Sequence, residues 1–175
     1  MKGFSLLETI VAIAVLILGI LGPLSLASYT LSQASLSENQ IIAYFLAEEA
    51  LEFVINMRDS NVFAGRNWLD GLDDSGNQCD QSDGCYIDVT DMSDPIKECP
   101  ANCDNIFVRR DSTTGLYNHK PVSGTNINTI FRRRVLLDPN IFGNNDEARV
   151  EVIIYWQERF ASRSFTVTHH IFKKR

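Results

Sequence analysis

Met1-Lys2-Gly3-Phe4-Ser5-Leu6-Leu7-Glu8-Thr9-Ile10-Val11-Ala12-Ile13 opens the chain, and the run stays apolar to about Leu24. Glu8 is the only charge between Lys2 and Glu38. The stretch otherwise reads as a membrane-spanning helix, and a carboxylate in hydrocarbon costs about 2.5–3.5 kcal/mol even on lenient insertion scales. Such a residue is functional by default, and a buried carboxylate needs a partner, because the isolated ion is far too costly in a low dielectric. The span itself holds no Lys or Arg. Lys2 supplies the cytoplasmic positive charge that orients the segment with its N-terminus inside.

A glycine, then a phenylalanine, then a glutamate five residues past the glycine, all heading an uncharged helix, is an arrangement that resembles the type IV prepilin motif. The match falls on Gly3, Phe4, Leu7 and Glu8. The resemblance implies a membrane-embedded prepilin peptidase that cuts between Gly3 and Phe4 and leaves residues 1–3 as a leader. Phe4 then becomes an N-methylated N-terminus and Glu8 the fifth residue of the mature chain. In that family the α-amino group of Phe4 on a neighbouring subunit is the natural partner of Glu8, and such a pair sets axial register as much as stability. The leader, Met-Lys-Gly, is short for the family. Two other readings use the same segment: an uncleaved signal anchor, and a secretory signal peptide cut after Ser25-Leu26-Ala27. Glu8 serves neither.

Composition bounds the rest. The chain has 175 residues, a formal charge of -6 and a pI near 5.0. With no basic face to match phosphates, nucleic acid is not an expected partner of the head. Acidity concentrates between Asp70 and Asp104, while Lys173, Lys174 and Arg175 form a basic tip. The four cysteines, Cys79, Cys85, Cys99 and Cys103, lie beyond the span on the extracytoplasmic side, where two disulfides are expected. Zinc is the competing reading, but C-x5-C and C-x3-C are not the usual C-x2-C ligand pairs. Local pairing, Cys79 with Cys85 and Cys99 with Cys103, closes short loops at little entropic cost. Nested pairing, Cys79 with Cys103 and Cys85 with Cys99, would clamp a hairpin over Tyr86 to Glu98.

From Phe4 to about Arg58 the chain reads as one helix, about 80 Å long. Residues 4–28 form the transmembrane or filament-core part and residues 29–60 a continuation into the head. Gly19, Gly22 and Pro23 interrupt the apolar part, and a kink or melted stretch is expected at Pro23. Beyond a polar stretch from Ser28 to Gln40, Ile42, Leu46, Ala50, Phe53 and Met57 recur as one apolar stripe that should lie on a sheet. Glu48, Glu49, Glu52 and Asn56 fall largely off it. Asp59-Ser60-Asn61 reads as a helix stop, since all three side chains compete for backbone hydrogen bonds. The string Ala43-Tyr44-Phe45-Leu46-Ala47-Glu48-Glu49-Ala50-Leu51-Glu52 is similar to the corresponding helix of minor pilins of the PilV type and of one class of type II secretion pseudopilin.

Residues 61–175 form an extracytoplasmic α+β head. Val62 to Gly84 is rich in Gly, Asp, Asn and Ser and reads as loop, with a turn of helix around Trp68-Leu69. A solvated acidic loop is the first reading; a calcium loop of non-standard geometry is the second, since EF-hand spacing fails with either Gly84 or Gly76 as the loop glycine. Strand signals follow at Tyr86 to Val89, Ile106 to Arg110 and Ile130 to Leu137. Arg132, Arg133 and Arg134 cannot all face outward from a pleated strand, so one must pair with a carboxylate or lie on an edge. Val150, Val152, Ile154 and Trp156 alternate on one strand and Phe165, Val167, His169 and Ile171 on the next, with a turn between Gln157 and Arg163. Such a hairpin is common at the C-terminus of pilin-like domains.

No nucleophile is set beside a base, and no Gly-rich phosphate loop or H-E-x-x-H motif is present. His169 shares a face with apolar residues and reads as half-buried and hydrogen-bonded at a sheet margin; His170 points the other way, so the two cannot share one metal. His119 stands alone in sequence. The expected fold is α+β: a long N-terminal helix packed on a small antiparallel sheet, pilin-like. The resemblance implies a minor pilin or pseudopilin, with a major pilin as the near alternative. It also implies other pilin-like subunits, the prepilin peptidase, an inner-membrane assembly platform and membrane lipid as partners, and no cofactor. A membrane-anchored or secreted binding module is the reading from outside that family.

Overall fold

The computed structural model describes residues 5–73, 79, 83–122, 124–139, 141, 143, 146–158 and 161–173. The chain divides into two compact units, residues 1–40 and 41–175. One α-helix, α1 (Leu6–Phe63), contributes to both.

In the first unit α1 carries an apolar 18-residue window with a mean hydropathy of 2.6 and none of it buried, long and apolar enough to cross a membrane. Helix is assigned through Gly19, Gly22 and Pro23. Pro23 has no N–H to give the carbonyl four residues back, that of Gly19. The hydroxyls in this stretch are turned onto the helix itself. Thr9 Oγ1 donates to the Leu6 carbonyl (2.8 Å), Ser28 Oγ to that of Leu24 (3.0 Å) and Thr30 Oγ1 to that of Ala27 (2.9 Å). Ser25 Oγ lies within bonding distance of both the Leu21 (3.0 Å) and Gly22 (2.9 Å) carbonyls. A helix whose hydroxyls are satisfied internally carries a smaller polar penalty into hydrocarbon.

In the second unit α1 lies on an antiparallel sheet. Ala43, Leu46, Ala47, Ala50, Leu51 and Val54 are buried against it. Three of the six are alanines, so much of this contact is made by small side chains. Of the predicted stripe, Leu46 and Ala50 are fully buried while Ile42, Phe53 and Met57 are half-buried at its margin. The expected stop at Asp59-Ser60-Asn61 is not one, for α1 runs on to Phe63. Asn61 is buried, and its Nδ2 donates to the carbonyl of Asp70 (2.8 Å), so its side chain braces the following turn instead of ending the helix. Arg58 Nη1 donates to the Phe172 carbonyl (2.9 Å) and so ties the helix to the end of the last strand. The turns after the helix are not a freely solvated loop either: Trp68, Leu69 and Leu72 are core residues.

Among the described residues the sheet has seven strands: β1 (Cys85–Ile87), β2 (Ile96–Glu98), β3 (Phe107–Asp111), β4 (Tyr117–Asn118), β5 (Asn126–Asp138), β6 (Glu147–Glu158) and β7 (Ala161–Phe172). Strand β5 is central. One of its edges pairs with β6 from Phe131 to Asp138; the other is shared, β3 taking residues 126–132 and β1 meeting it at Val135. Gly84 makes that last junction possible. Its φ is +73°, and a Cβ there would stand 2.5 Å from the Val135 carbonyl oxygen. The C-terminal hairpin is longer than the alternation implied, with twelve pairs from Glu147↔Phe172 to Glu158↔Ala161. Gln157, Glu158 and residues 161–163, expected in the turn, are therefore strand, and residues 159–160 lie outside the described residues.

Candidate functional site

Three groups of residues bear on function. The first is the N-terminal segment. Gly3 and Phe4 lie outside the described residues. Glu8 sits in the first turn of α1, where the helix dipole favours a negative charge. Its backbone N–H donates to the Ser5 carbonyl (3.0 Å), and its side chain has no ion-pair or hydrogen-bond partner among the described residues. The apolar side chains that follow are open: Leu7 is 72% exposed and Leu18 73%. A lone carboxylate at the head of a fully exposed apolar helix leaves both charge and surface to be satisfied from outside this unit.

The second group joins helix and sheet. Of the three consecutive arginines, Arg133 turns inward and is 1% exposed. Its Nη1 donates to the Leu46 carbonyl (2.9 Å) and pairs with Glu49 Oε2 (2.6 Å), and its Nη2 donates to the Ile87 carbonyl. Arg132 pairs with Asp104 (3.7 Å) and stacks over Phe107, and Arg134 Nε donates to the Asp83 carbonyl (3.0 Å). The expected pairing of one arginine with a carboxylate is thus met by Arg133. Its partner Glu49 was placed off the apolar stripe, and it does lie at the margin of the helix–sheet contact, one-third exposed.

Beside Arg133 lies a node that the sequence does not announce. Asp88, 3% exposed, accepts from the Thr90 hydroxyl (2.7 Å), the Thr90 N–H (3.0 Å) and the His119 N–H (2.8 Å). Burial pushes its carboxyl up, but these hydrogen bonds outweigh burial and hold it below the usual carboxylate range. The His119 ring leans on Tyr86, centroids 5.0 Å apart, and both ring nitrogens are buried without a hydrogen-bond partner although the residue as a whole is only partly covered. Desolvation, helped by the nearby Arg133 cation, lowers its pKa to about 3. Asp88-Val89-Thr90 has an Asx-turn pattern, the one sequence signal that could have flagged this node.

Both His119 and Asp88 have folded-state pKa values below their unfolded ones, so both contribute stability near neutrality that is lost on acidification. His119 acts over the window from about 6.5 down to about 3 and Asp88 below the ordinary carboxylate value of 3.8. Thermal melts should fall between pH 7 and pH 4, by up to about 1.4 kcal/mol per pH unit from His119. A His119→Phe variant should show a flatter profile over that range. An unchanged slope would mean that His119 does not titrate with folding.

The third group is the cysteines. Cys79 is bonded to Cys85 and Cys99 to Cys103, the local connectivity, and none is free. All four are buried. The hairpin that nested bonds would have clamped is present anyway as β1 and β2, with Cys85 opposite Glu98 and the Cys99 N–H donating to the Gly84 carbonyl (3.0 Å). Among the described residues no three His, Cys, Asp or Glu side chains cluster as metal ligands would. Much of the acidic stretch considered for calcium, residues 74–78 and 80–82, lies outside the described residues.

The remaining histidines correct one expectation. His169 is exposed, not half-buried, and has no partner among the described residues; it sits on the outermost strand, between the half-buried Val167 and the buried Ile171. His170, on the opposite face, meets Glu147 Oε1 at 2.7 Å. A shallow depression of about 560 Å³ near the end of α1 is lined by Val62, Gly65, Arg66, Asn67, Trp68 and Lys173, with Arg66 and Lys173 each facing a carboxylate, Asp70 and Asp146.

Compared with protein-family models, curated proteins and solved structures, the chain matches none of them.

Proposed function

We propose that this chain is a structural subunit of a type IV pilus-like filament, a minor pilin or pseudopilin, with a major pilin as the nearest variant of the same reading. One observation carries it: Glu8 is the sole charge at the head of an exposed apolar helix, five residues past Gly3 and four past Phe4. In this reading the subunit waits in the inner membrane with its N-terminus cytoplasmic and its sheet outside. Prepilin peptidase cuts between Gly3 and Phe4, and the new amine is methylated yet keeps its positive charge. On assembly that amine meets Glu8 of a neighbouring subunit, which neutralises the carboxylate and rewards one stagger between helices. The apolar part of α1 then exchanges lipid for other helices, so that Leu, Ile and Val side chains remain out of water throughout. Gly19, Gly22 and Pro23 give the helix a place to yield during that exchange. The protein is a substrate of processing enzymes in this scheme, and its chemistry is assembly.

A membrane-anchored binding module remains the contrasting reading, favoured by the two disulfides that flank the β1–β2 hairpin. Mass spectrometry of the mature N-terminus separates the two. The filament reading expects a chain that begins at Phe4 and carries one added methyl group, with processing blocked when Gly3 is made bulky. A mature chain beginning at Ser28 would establish secretion by ordinary signal peptidase and end the filament reading.

A further inference from the structure

Strand β7 pairs with β6 along its whole length, in unbroken register, and with nothing on its other side among the described residues. Native proteins blunt such edges with proline, a bulge, an inward lysine or a covering loop, because an open row of N–H and C=O groups recruits strands. Over Ala161–Phe172 there is no Pro, no Lys and no register shift, and Arg163 is the one arginine on the face turned toward the helix. Ser162, Ser164, Thr166 and Thr168 keep one face polar, which guards against indiscriminate hydrophobic pairing without closing the edge.

The other face, on the helix side, is chemically specific. Arg163, Phe165, Val167, His169 and Ile171 follow one another along it. Among the described residues the Arg163 guanidinium and the His169 ring have no hydrogen-bond or ion-pair partner, while Phe165 and Val167 are half-buried between them. Tyr44 from α1 stands edge-on to Phe165, ring centroids 6.0 Å apart, and continues the apolar strip to the exposed Phe45 and Ile41. From Ala161 to Lys173 the segment carries Arg163, His169, His170 and Lys173 and no carboxylate, in a chain whose formal charge is -6; His170 and Lys173 face Glu147 and Asp146, which leaves Arg163 and His169 for a docked strand.

We infer that the free edge of β7 is a docking site for an extended segment of another protein, one in which carboxylates flank β-branched apolar residues at alternate positions. Such a strand would continue the ladder through its backbone. Cross-strand neighbours share a face, so its alternate side chains would fall opposite Arg163, Phe165, Val167 and His169. Acidic residues belong at the two outer positions and valine-like residues at the two inner ones; main-chain bonds would supply affinity and this pattern the specificity. The inference does not depend on the filament reading, since it uses only the edge and its charge.

The probe is a fluorescein-labelled, end-blocked peptide, Glu-Thr-Val-Thr-Val-Thr-Glu, which reads the same in both directions and so suits parallel or antiparallel docking. Anisotropy titration against the full chain in detergent should give saturable binding. A counterpart with both Glu replaced by Lys should bind about tenfold more weakly or worse, and Arg163→Glu should reverse the preference, because like charges then face each other. Hydrogen exchange should slow at residues 161–172 when the first peptide is bound. Absence of binding up to about 5 mM, equal binding of the two peptides to the unaltered chain, or protection confined to other strands would each overturn the proposal.

Discussion

Replacing Arg133 with alanine should destabilise the head by about 3–5 kcal/mol, enough to unfold a marginal domain. Arg133 is 1% exposed and bonds three groups on two elements: the Leu46 carbonyl and Glu49 carboxylate on the helix and the Ile87 carbonyl on β1. Truncation leaves a cavity where the guanidinium stood and strands the Ile87 carbonyl and a carboxylate already two-thirds covered. Leu46 loses less, because a helix carbonyl is also bonded within its own ladder. Arg133→Met, which keeps most of the volume, should therefore cost less than Arg133→Ala. Glu49→Gln should cost less again, because an amide oxygen can still accept from Nη1. The buried Trp68 and Trp156 report the transition by fluorescence in urea. A loss below about 1 kcal/mol for Arg133→Ala would mean that the helix is held by apolar contact alone.

The second large effect is functional. Under the proposed assembly, Glu8→Leu should insert in the membrane at least as well as the unaltered chain, since it deletes a group that costs about 2.5–3.5 kcal/mol in hydrocarbon. It should nonetheless fail to enter filaments, because the partner amine then gains nothing from any particular stagger. Membrane fractionation and the subunit content of sheared filaments separate the two steps. Normal incorporation of Glu8→Leu would remove the register argument. Poor insertion would show instead that the carboxylate serves membrane entry.

Legibility followed element length and burial. The hairpin was readable because Val150, Val152, Ile154 and Trp156 alternate over a strand long enough to show a period, whereas β2 (three residues) and β4 (two) are too short to show one. The inward turn of Arg133 could be argued from three arginines in a row on a pleated strand. Its bond to Glu49 could not, because 84 residues separate them. Asp59-Ser60-Asn61 misled because the rule for such residues concerns local competition for the backbone, and Asn61 found its acceptors beyond the helix, at Trp68 and Asp70. His169 was misplaced for a related reason. Alternation shows which face a residue shares, but only topology shows that the strand is the outermost one. The Asp88–His119 node joins residues 31 apart through a backbone N–H, a contact that side-chain pattern does not encode.

The distance along the chain between Leu46 and Arg133 has a consequence in time. Eighty-seven positions separate the carbonyl from the guanidinium that binds it. A ribosome adds about 5–20 residues per second, so the buried face of the helix is made roughly ten seconds before its principal clasp. Through that interval Leu46, Leu51 and Val54 have no sheet to lie on and must be kept from other hydrophobic surfaces. Three of the six apolar residues at the contact are alanines, which makes the waiting surface shallow and weakly adhesive compared with one of leucines. The small side chains buried in the finished contact also make this face a poor target for the wrong partner while it waits.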